Sequence, residues 1–471
     1  MSLSAALNTA VIGLQTLQQQ TRIVSGNVAN AQNPNYSRKV TTLTSPVAEG
    51  LPQAALISQI TRVAAPEIQQ DLYRITADYG QLDRQLNYTK ELAETLDATN
   101  TTGEQPTLLA MMTRFEDAWK TLEATPEDTA TRSLVVQRGM ELAAEIRRLN
   151  SLQSELQTRA QEHLTTDVQI VNEAALQIAK LNVQITSQLA GNNPIGDLED
   201  LRDQEVAKLA DKIGIRTVVN DRGELFVYTD GGVQVVGTVA QQFEYQATGI
   251  PPGIFLQGGT DNLNQGFLNG SIRASLNYLD NTAAGLASAD PNVAVLSKYF
   301  NQLDSFAANL VTVVNTAYGA NFFNYSAALA APPDEAGKIV VDPALVATPA
   351  NVNPAVAGTV QQAMRNTTLT AAQINRSATD PNGLTITSVN IFGLINGVLA
   401  YHARMASDNE SGRDTAERQQ HTLDQKLRNL TGVNIDDELA QLQVLQNNYA
   451  ALANVMNTVT AMFDELVNIG R

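Results

Sequence analysis

Apolar residues in the first thirty positions fall at alternating steps of 4 and 3, at Leu3, Leu7, Ala10, Leu14, Leu17, Thr21, Val24 and Val28. This heptad stripe predicts a helix with one narrow seam. Its other faces carry Gln, Asn, Thr and Ser instead of the Glu and Lys of a solvated coiled coil, so they too are expected to meet protein. Asn33-Pro34-Asn35 ends the helix as a polar turn. A second stripe through Ile68, Leu72, Ile75, Tyr79, Leu82, Leu86, Thr89, Ala93 and Leu96 predicts a long core helix. Gly103 and Pro106 break it, and a shorter helix follows with Leu109, Met112, Phe115, Trp119 and Leu122.

Thr125-Pro126-Glu127-Asp128 reads as an N-cap with Pro at the first helical position and acid in the first turn. The pattern beyond it is helical to about Leu189, with Leu164, Val168, Val171, Ala175, Ile178, Ile185 and Leu189 as its clearest stripe. Unbroken, such a helix of roughly 60 residues would be a rod of about 90 Å. After Gly214 the period changes to 2: Ile215 to Val219, Leu225 to Tyr228 and Val233 to Val236, separated by Gly-containing turns, predict a small β meander. Another helix holds Tyr299, Leu303, Phe306, Leu310 and Val314. Residues 319–387 are then rich in Pro, Ala, Asn and Thr, with short strands such as Ile339-Val340-Val341.

Helix resumes near 389 and stops at Gly432. The last segment opens with Asn434 as a candidate N-cap and with Asp436, Asp437 and Glu438 in the first turn, where carboxylates favour the helix dipole. Two rows repeat every 7 residues along it. One is Leu442, Tyr449, Met456 and Phe463; the other is Leu445, Leu452, Val459 and Leu466. The expected fold is mainly α, with a terminal helical coiled coil, a long-helix bundle body and a small β-rich outer module. The expected divisions are 1–38 with 432–471 for the coiled coil, 39–212 with 266–318 and 388–431 for the body, and 213–265 with 319–387 for the outer module. A helix pair of about 30 residues has little seam to bury, so both ends are expected to be loose in the monomer and to order on assembly.

Charge sharpens the pairing of the ends. The 471 residues carry 48 acidic against 31 basic side chains, a formal charge of −17, which argues against nucleic acid or an anionic membrane as partner. Residues 1–48 contain Arg22, Arg38 and Lys39 and no carboxylate, whereas 432–471 carry five carboxylates against Arg471. There is no cysteine, hence no disulfide or zinc–thiolate site. No run approaches the roughly 18 apolar residues of a membrane helix, and the N-terminus lacks the basic and apolar regions of a signal peptide, so any export is expected to proceed without signal cleavage.

Candidate chemistry is sparse. His163, His402 and His421 show no metal-ligand spacing, and no phosphate loop, nucleophile elbow or zinc-protease motif occurs. Asp380-Pro381-Asn382-Gly383 reads as a turn because the downstream ligands of a calcium loop are missing. Glu116-Asp117 and Glu199-Asp200 are expected on solvated helix faces. No catalytic residue, metal or cofactor is expected.

The opening run Leu3, Ala6, Leu7 and Gly13-Leu14, then Ser25-Gly26-Asn27-Val28-Ala29-Asn30 and Pro34-Asn35-Tyr36-Ser37-Arg38, resembles the N-terminus of flagellar rod, hook and hook-associated proteins. The Tyr-Ser-Arg ending is similar to the hook-associated protein 1 family of first hook-filament junction proteins, where the hook protein usually has Phe-Lys. The segment Gly432 to Glu438 followed by Leu442, Gln446, Tyr449, Met456, Phe463 and Leu466 resembles the C-terminus of the same family. Leu201-Arg202-Asp203-Gln204, Asn321-Phe322-Phe323 and Val341 to Leu345 are similar to family features in the expected order. Asn35 departs from the usual Gly, and the outer region is short for the family.

The resemblance implies a structural, non-enzymatic subunit of the bacterial flagellum, outside the cell and exported by the flagellar type III route. It implies a homo-oligomeric ring between the hook protein and the second junction protein, hook-associated protein 3, and a cytoplasmic export chaperone guarding the C-terminal helix. The assembly surface would be Leu3, Leu7, Leu14, Leu17, Val24 and Val28 with Leu442, Leu445, Tyr449, Leu452, Met456, Val459, Phe463 and Leu466. The alternatives are another axial protein, such as hook-associated protein 3 or a hook or rod subunit, and a secreted effector using the flagellar route.

Overall fold

The computed structural model describes residues 3–45, 47–48, 51–52, 55–96, 107–248, 252–329, 334–375, 383–386 and 388–469. The expected break at Gly103 and Pro106 and residues 380–382 of the Asp-Pro-Asn-Gly turn lie outside them, as do the side chains of Leu3 and Leu466.

The described chain is mainly helical with small sheets. Helix α1 (Leu3–Asn30) ends in the Asn-Pro-Asn turn, where the Asn35 N–H donates to Asn33 Oδ1 at 3.1 Å. Strands β1 (Lys39–Thr44) and β2 (Leu56–Arg62) then pair antiparallel, with Lys39 opposite Arg62. This hairpin stands where the sequence reading places only helical body. Helix α2 (Pro66–Leu96) begins with Pro at its first position and Glu67 in its first turn, as helix N-termini favour. Then come α3 (Leu108–Ala124), α4 (Thr129–Ser151), α5 (Gln153–Ala190) and α6 (Gly196–Lys212).

Two helix boundaries differ from expectation. Thr125 closes α3, donating its N–H and hydroxyl to Thr121 O at 3.0 and 2.9 Å, so it does not start the next helix. The cap of α4 is Asp128, whose carboxylate accepts from the Ala130 N–H at 2.8 Å. The expected rod to Leu189 is two helices. The chain breaks at Leu152, whose N–H turns back to Asn150 O, while the Ser151 hydroxyl donates to Arg148 O at 2.7 Å. A hydroxyl satisfying the backbone locally competes with the helical ladder, and α4 and α5 can then follow different neighbours.

Strands β3 (Ile215–Val219), β4 (Leu225–Thr229) and β5 (Gln234–Val236) form the expected antiparallel meander, and β6 (Phe243–Gln246) pairs with β7 (Gly253–Leu256). The remainder is α7 (Ser271–Leu279), α8 (Val295–Tyr318), the pair β8 (Phe323–Tyr325) and β9 (Ile339–Val341), α9 (Ala357–Asn366), α10 (Ile391–Thr431) and α11 (Ile435–Ile469). Helix α10 lies along α2, and α11 lies along α1.

Burial divides the chain into three apolar clusters. The first gathers Phe115, Trp119, Tyr299, Phe306, Phe322, Ile391 and Leu394 around α8. The second holds Leu164, Val168, Ile178, Val206, Val227, Val236 and Phe267. Helices α2 and α5 pass through both, with Tyr73 in the second and Leu92 in the first on α2, and Leu156 in the first and Val171 in the second on α5. The two stretches expected to share one outer module sit in different cores: β3 to β7 pack in the second against α5, while β8 and β9 pack in the first against α4 and α8. Their apolar residues are covered by separate helices, so they need no shared sheet. The third cluster is small and lies between the chain ends.

Candidate assembly surface and its anchorage

Helix α11 begins at an Asn434 cap, whose Oδ1 accepts from the Asp436 N–H at 3.1 Å. The heptad spacing then turns the row of Leu445, Leu452 and Val459 toward α1, with Leu442 of the other row packed beside it. On α1 that brings in Ala10, Leu14, Leu17 and Val24, all buried, with Leu7 and Val28 half-buried; on α11 Leu445 and Val459 are buried, and Leu442, Leu452 and Met456 are half-buried. Leu17, Val24 and Leu445 form the cluster itself, flanked by Leu442 and Leu452. Gly13 lets the helices approach: a Cβ there would stand 3.0 Å from Leu452 Cδ1.

Of the other expected row, Tyr449 and Phe463 are 42% and 41% exposed. Val444, Val455 and Met462, outside the expected set, are also exposed. The pair therefore covers one side of α11 and leaves large apolar side chains on the rest, more than a single helix-helix contact uses.

The body end of the pair is polar. Glu438 is fully buried, and its two carboxylate oxygens accept from Arg38 Nε at 2.6 Å and Asn27 Nδ2 at 2.9 Å. Asn27, 1% exposed, also donates to Lys39 O at 2.9 Å. Its Oδ1 accepts from the Lys39 N–H at 3.0 Å and from the Tyr36 hydroxyl at 2.9 Å. Lys39 Nζ reaches Asp200 on α6 and sits 4.5 Å from the centre of the Tyr36 ring. Asp200 also accepts from Arg62 Nη1 at 3.0 Å and from the Ser37 N–H at 3.2 Å, and Arg62 pairs further with Asp203 and, through Nε at 3.2 Å, with Glu199. The backbone joins in: the Arg38 N–H donates to Thr431 O at the end of α10, and the Val63 N–H donates to Arg38 O, both at 2.8 Å.

Three cations, Arg38, Lys39 and Arg62, thus meet five carboxylates, Glu438, Asp197, Glu199, Asp200 and Asp203. Burial raises the Tyr36 phenol to about 12, helped by Asp197, Asp200 and Glu438. Burial opposes the Arg62 charge, but Asp203 and Glu199 outweigh it, so its pKa is raised. The two buried carboxylates, Glu438 and Asp200, each accept more than one charge-assisted bond, the condition under which a buried ion is tolerated. Arg202 extends the network away from the termini, donating through Nη1 to Gly223 O at 2.7 Å and Asn182 Oδ1 at 3.1 Å, which ties α6 to α5 and the β3–β4 turn.

Three sequence motifs named separately, Ser25 to Asn30 with Pro34 to Arg38, Leu201 to Gln204, and Gly432 to Glu438, converge on this one knot. The expectation that Glu199-Asp200 and Glu116-Asp117 lie on solvated faces is corrected for Asp200 and Glu116, which are 6% and 1% exposed. Glu116 pairs with Arg365 through both carboxylate oxygens, the second accepting from Nη2 at 2.7 Å. A signal for Asp200 was present: residues 1–48 carry cations and no carboxylate, so any of those cations that folding buries needs a carboxylate from elsewhere in the chain. Of the histidines, His402 is fully buried with Nε2 2.8 Å from Gln302 Oε1, and His163 is exposed beside Tyr88. Among the described residues no group of three or more His, Cys, Asp or Glu is arranged to hold a metal ion, and no helix is long and apolar enough to cross a membrane.

Residues 82–324 match the family model of the flagellar hook-associated protein FlgK helical domain. The chain is similar over nearly its whole length to flagellar hook-associated protein 1 of Escherichia coli strain K12, at 24% identity covering 99% of this chain and 100% of the relative. Flagellar hook-associated protein 1 of Bacillus subtilis strain 168 is 22% identical, covering 98% and 97%. The solved flagellar hook junction protein FlgK from Burkholderia pseudomallei superposes with a TM-score of 0.44 at 20% identity, over 55% of this chain and 47% of that one.

Proposed function

Because this chain belongs to the family of the flagellar hook-associated protein FlgK, we propose that it is a structural subunit of the flagellum at the hook-filament junction. The observation that carries the reading is full-length similarity to hook-associated protein 1 from two distant bacteria, termini included. Supporting it is a terminal helix pair that exposes Tyr449, Val455, Met462 and Phe463. In a ring of copies these residues find neighbours, and the marginal pair gains stability from them. The ring stacks on the hook protein on one side and on hook-associated protein 3 on the other.

Export follows the flagellar type III channel without a cleaved signal, and a cytoplasmic chaperone covers α11 until then, since an exposed apolar helix is an association hazard. The role is mechanical and uses no cofactor or catalytic residue. Deleting residues 432–471 in the native host tests this. The expected outcome is loss of swimming, hooks still present, and filament protein shed into the medium. Normal filaments and swimming would refute the junction role and favour a secreted effector instead.

A further inference from the structure

The three apolar clusters are not continuous: Leu17, Val24 and Leu445 form a cluster apart from both body cores. At the body end of the terminal pair the link is polar, and it passes through few atoms. Glu438 belongs to α11, Asn27 to α1, Arg38 and Lys39 to the linker, and Asp200 to α6. One buried carboxylate therefore fastens both terminal helices and the linker at a single level, and a second fastens the linker to the body.

We propose that this knot is a latch: it sets the direction of the terminal pair relative to the body, orders the body-side ends of α1 and α11, and lets go of both helices together when the Glu438 charge is removed. An apolar seam slides and reseats at small cost, whereas charge-assisted bonds have preferred directions, so a joint made of them holds one angle or opens. Beside it lies a cavity of about 170 Å3, lined by Pro34, Tyr36, Tyr73, Asp203, Asp424 and Arg428. It gives the linker room to move without repacking either body core. Away from the latch the pair has only its narrow seam, with Tyr449 and Phe463 exposed. Order in the free subunit runs from the latch outward and fades along the helices. This assignment does not depend on where in the flagellum the subunit sits.

Hydrogen exchange by mass spectrometry on the full chain tests it. In the wild type, segments 20–38 and 434–446 exchange more slowly than 5–14 and 455–465. In Glu438→Gln both latch segments exchange at least about tenfold faster, together, because a buried charged partner is lost, while segment 299–314 in the first core keeps its rate. In Asp200→Asn the linker segment 34–40 accelerates and 434–446 stays protected, because the Asn27–Glu438 contact survives. Unchanged rates in Glu438→Gln, acceleration of 434–446 alone, or equal acceleration of 299–314 would each overturn the latch.

Discussion

Gly80 and Gly13 are both helical glycines under a neighbouring helix, and they are expected to respond oppositely to the same change. A Cβ on Gly80 would stand 2.2 Å from the Asp211 carbonyl oxygen, a backbone atom at the end of α6. Gly80→Ala is therefore expected to destabilise the body by about 2–3 kcal/mol, read as a lower urea midpoint. At Gly13 the obstacle is the end of the half-buried Leu452 side chain, which can swing aside. Gly13→Ala removes a helix-weakening glycine worth about 1 kcal/mol, so helix content is expected to hold or rise. His402 sets a pH dependence at the same scale. Burial pushes it down to about 3, while in an unfolded chain a histidine titrates near ~6.5. The unfolded state takes up the proton that the folded state refuses, so this stability is present above about 6.5 and lost as the pH falls toward 3. Between pH 7 and 5.5 the loss is expected to be about 1 kcal/mol by urea unfolding, and His402→Gln is expected to remove most of it. His163 is lowered by burial and Arg84 in the same sense, but its exposure makes its share small. None of this was legible from residue type. The 4-and-3 spacing located α2, but what crosses Gly80, or closes over His402, depends on segments a hundred or more positions away.

Elements were the most legible level. Helices α1, α2 and α11 and the β3 to β5 meander follow directly from period, because a residue's face is fixed by its number along a regular element. Boundaries were less so. Thr125 and Asp128 are both plausible caps, and the choice fell to Asp128 because Thr125 is held by the preceding helix. Asp128→Ala is expected to cost about 1 kcal/mol in thermal unfolding, and Thr125→Ala less. The β1–β2 hairpin shows no clean alternation in Lys39 to Thr44 or Leu56 to Arg62, and its placement along α1 comes from distant bonds, such as the Thr16 hydroxyl to Ala55 O at 2.9 Å. For the terminal pair, Leu445→Asp places a charge in the smallest apolar cluster. It is expected to abolish the helical circular-dichroism signal of α1 and α11 while leaving the body's melting transition in place. A simultaneous drop in that transition would mean that the terminal pair is part of the body's cooperative unit.

At the scale of the whole molecule, two cores threaded by α2 and α5 make a body whose apolar clusters include no residue of α1 or α11, and a polar latch presents a partly covered helix pair to whatever surrounds it. Heptad rows announced that pair in the sequence. They did not announce which row would face α1, since both rows are equally regular and the choice rests on the register set by Asn27 and Glu438. The proposed role predicts where this surface is used. Immunogold electron microscopy on flagella isolated from the native host, with antibody to the 215–256 region, tests it most directly. Label in a single narrow band where the curved hook meets the filament is the result the account predicts. Label along the filament or the hook, or none on the flagellum, would contradict it.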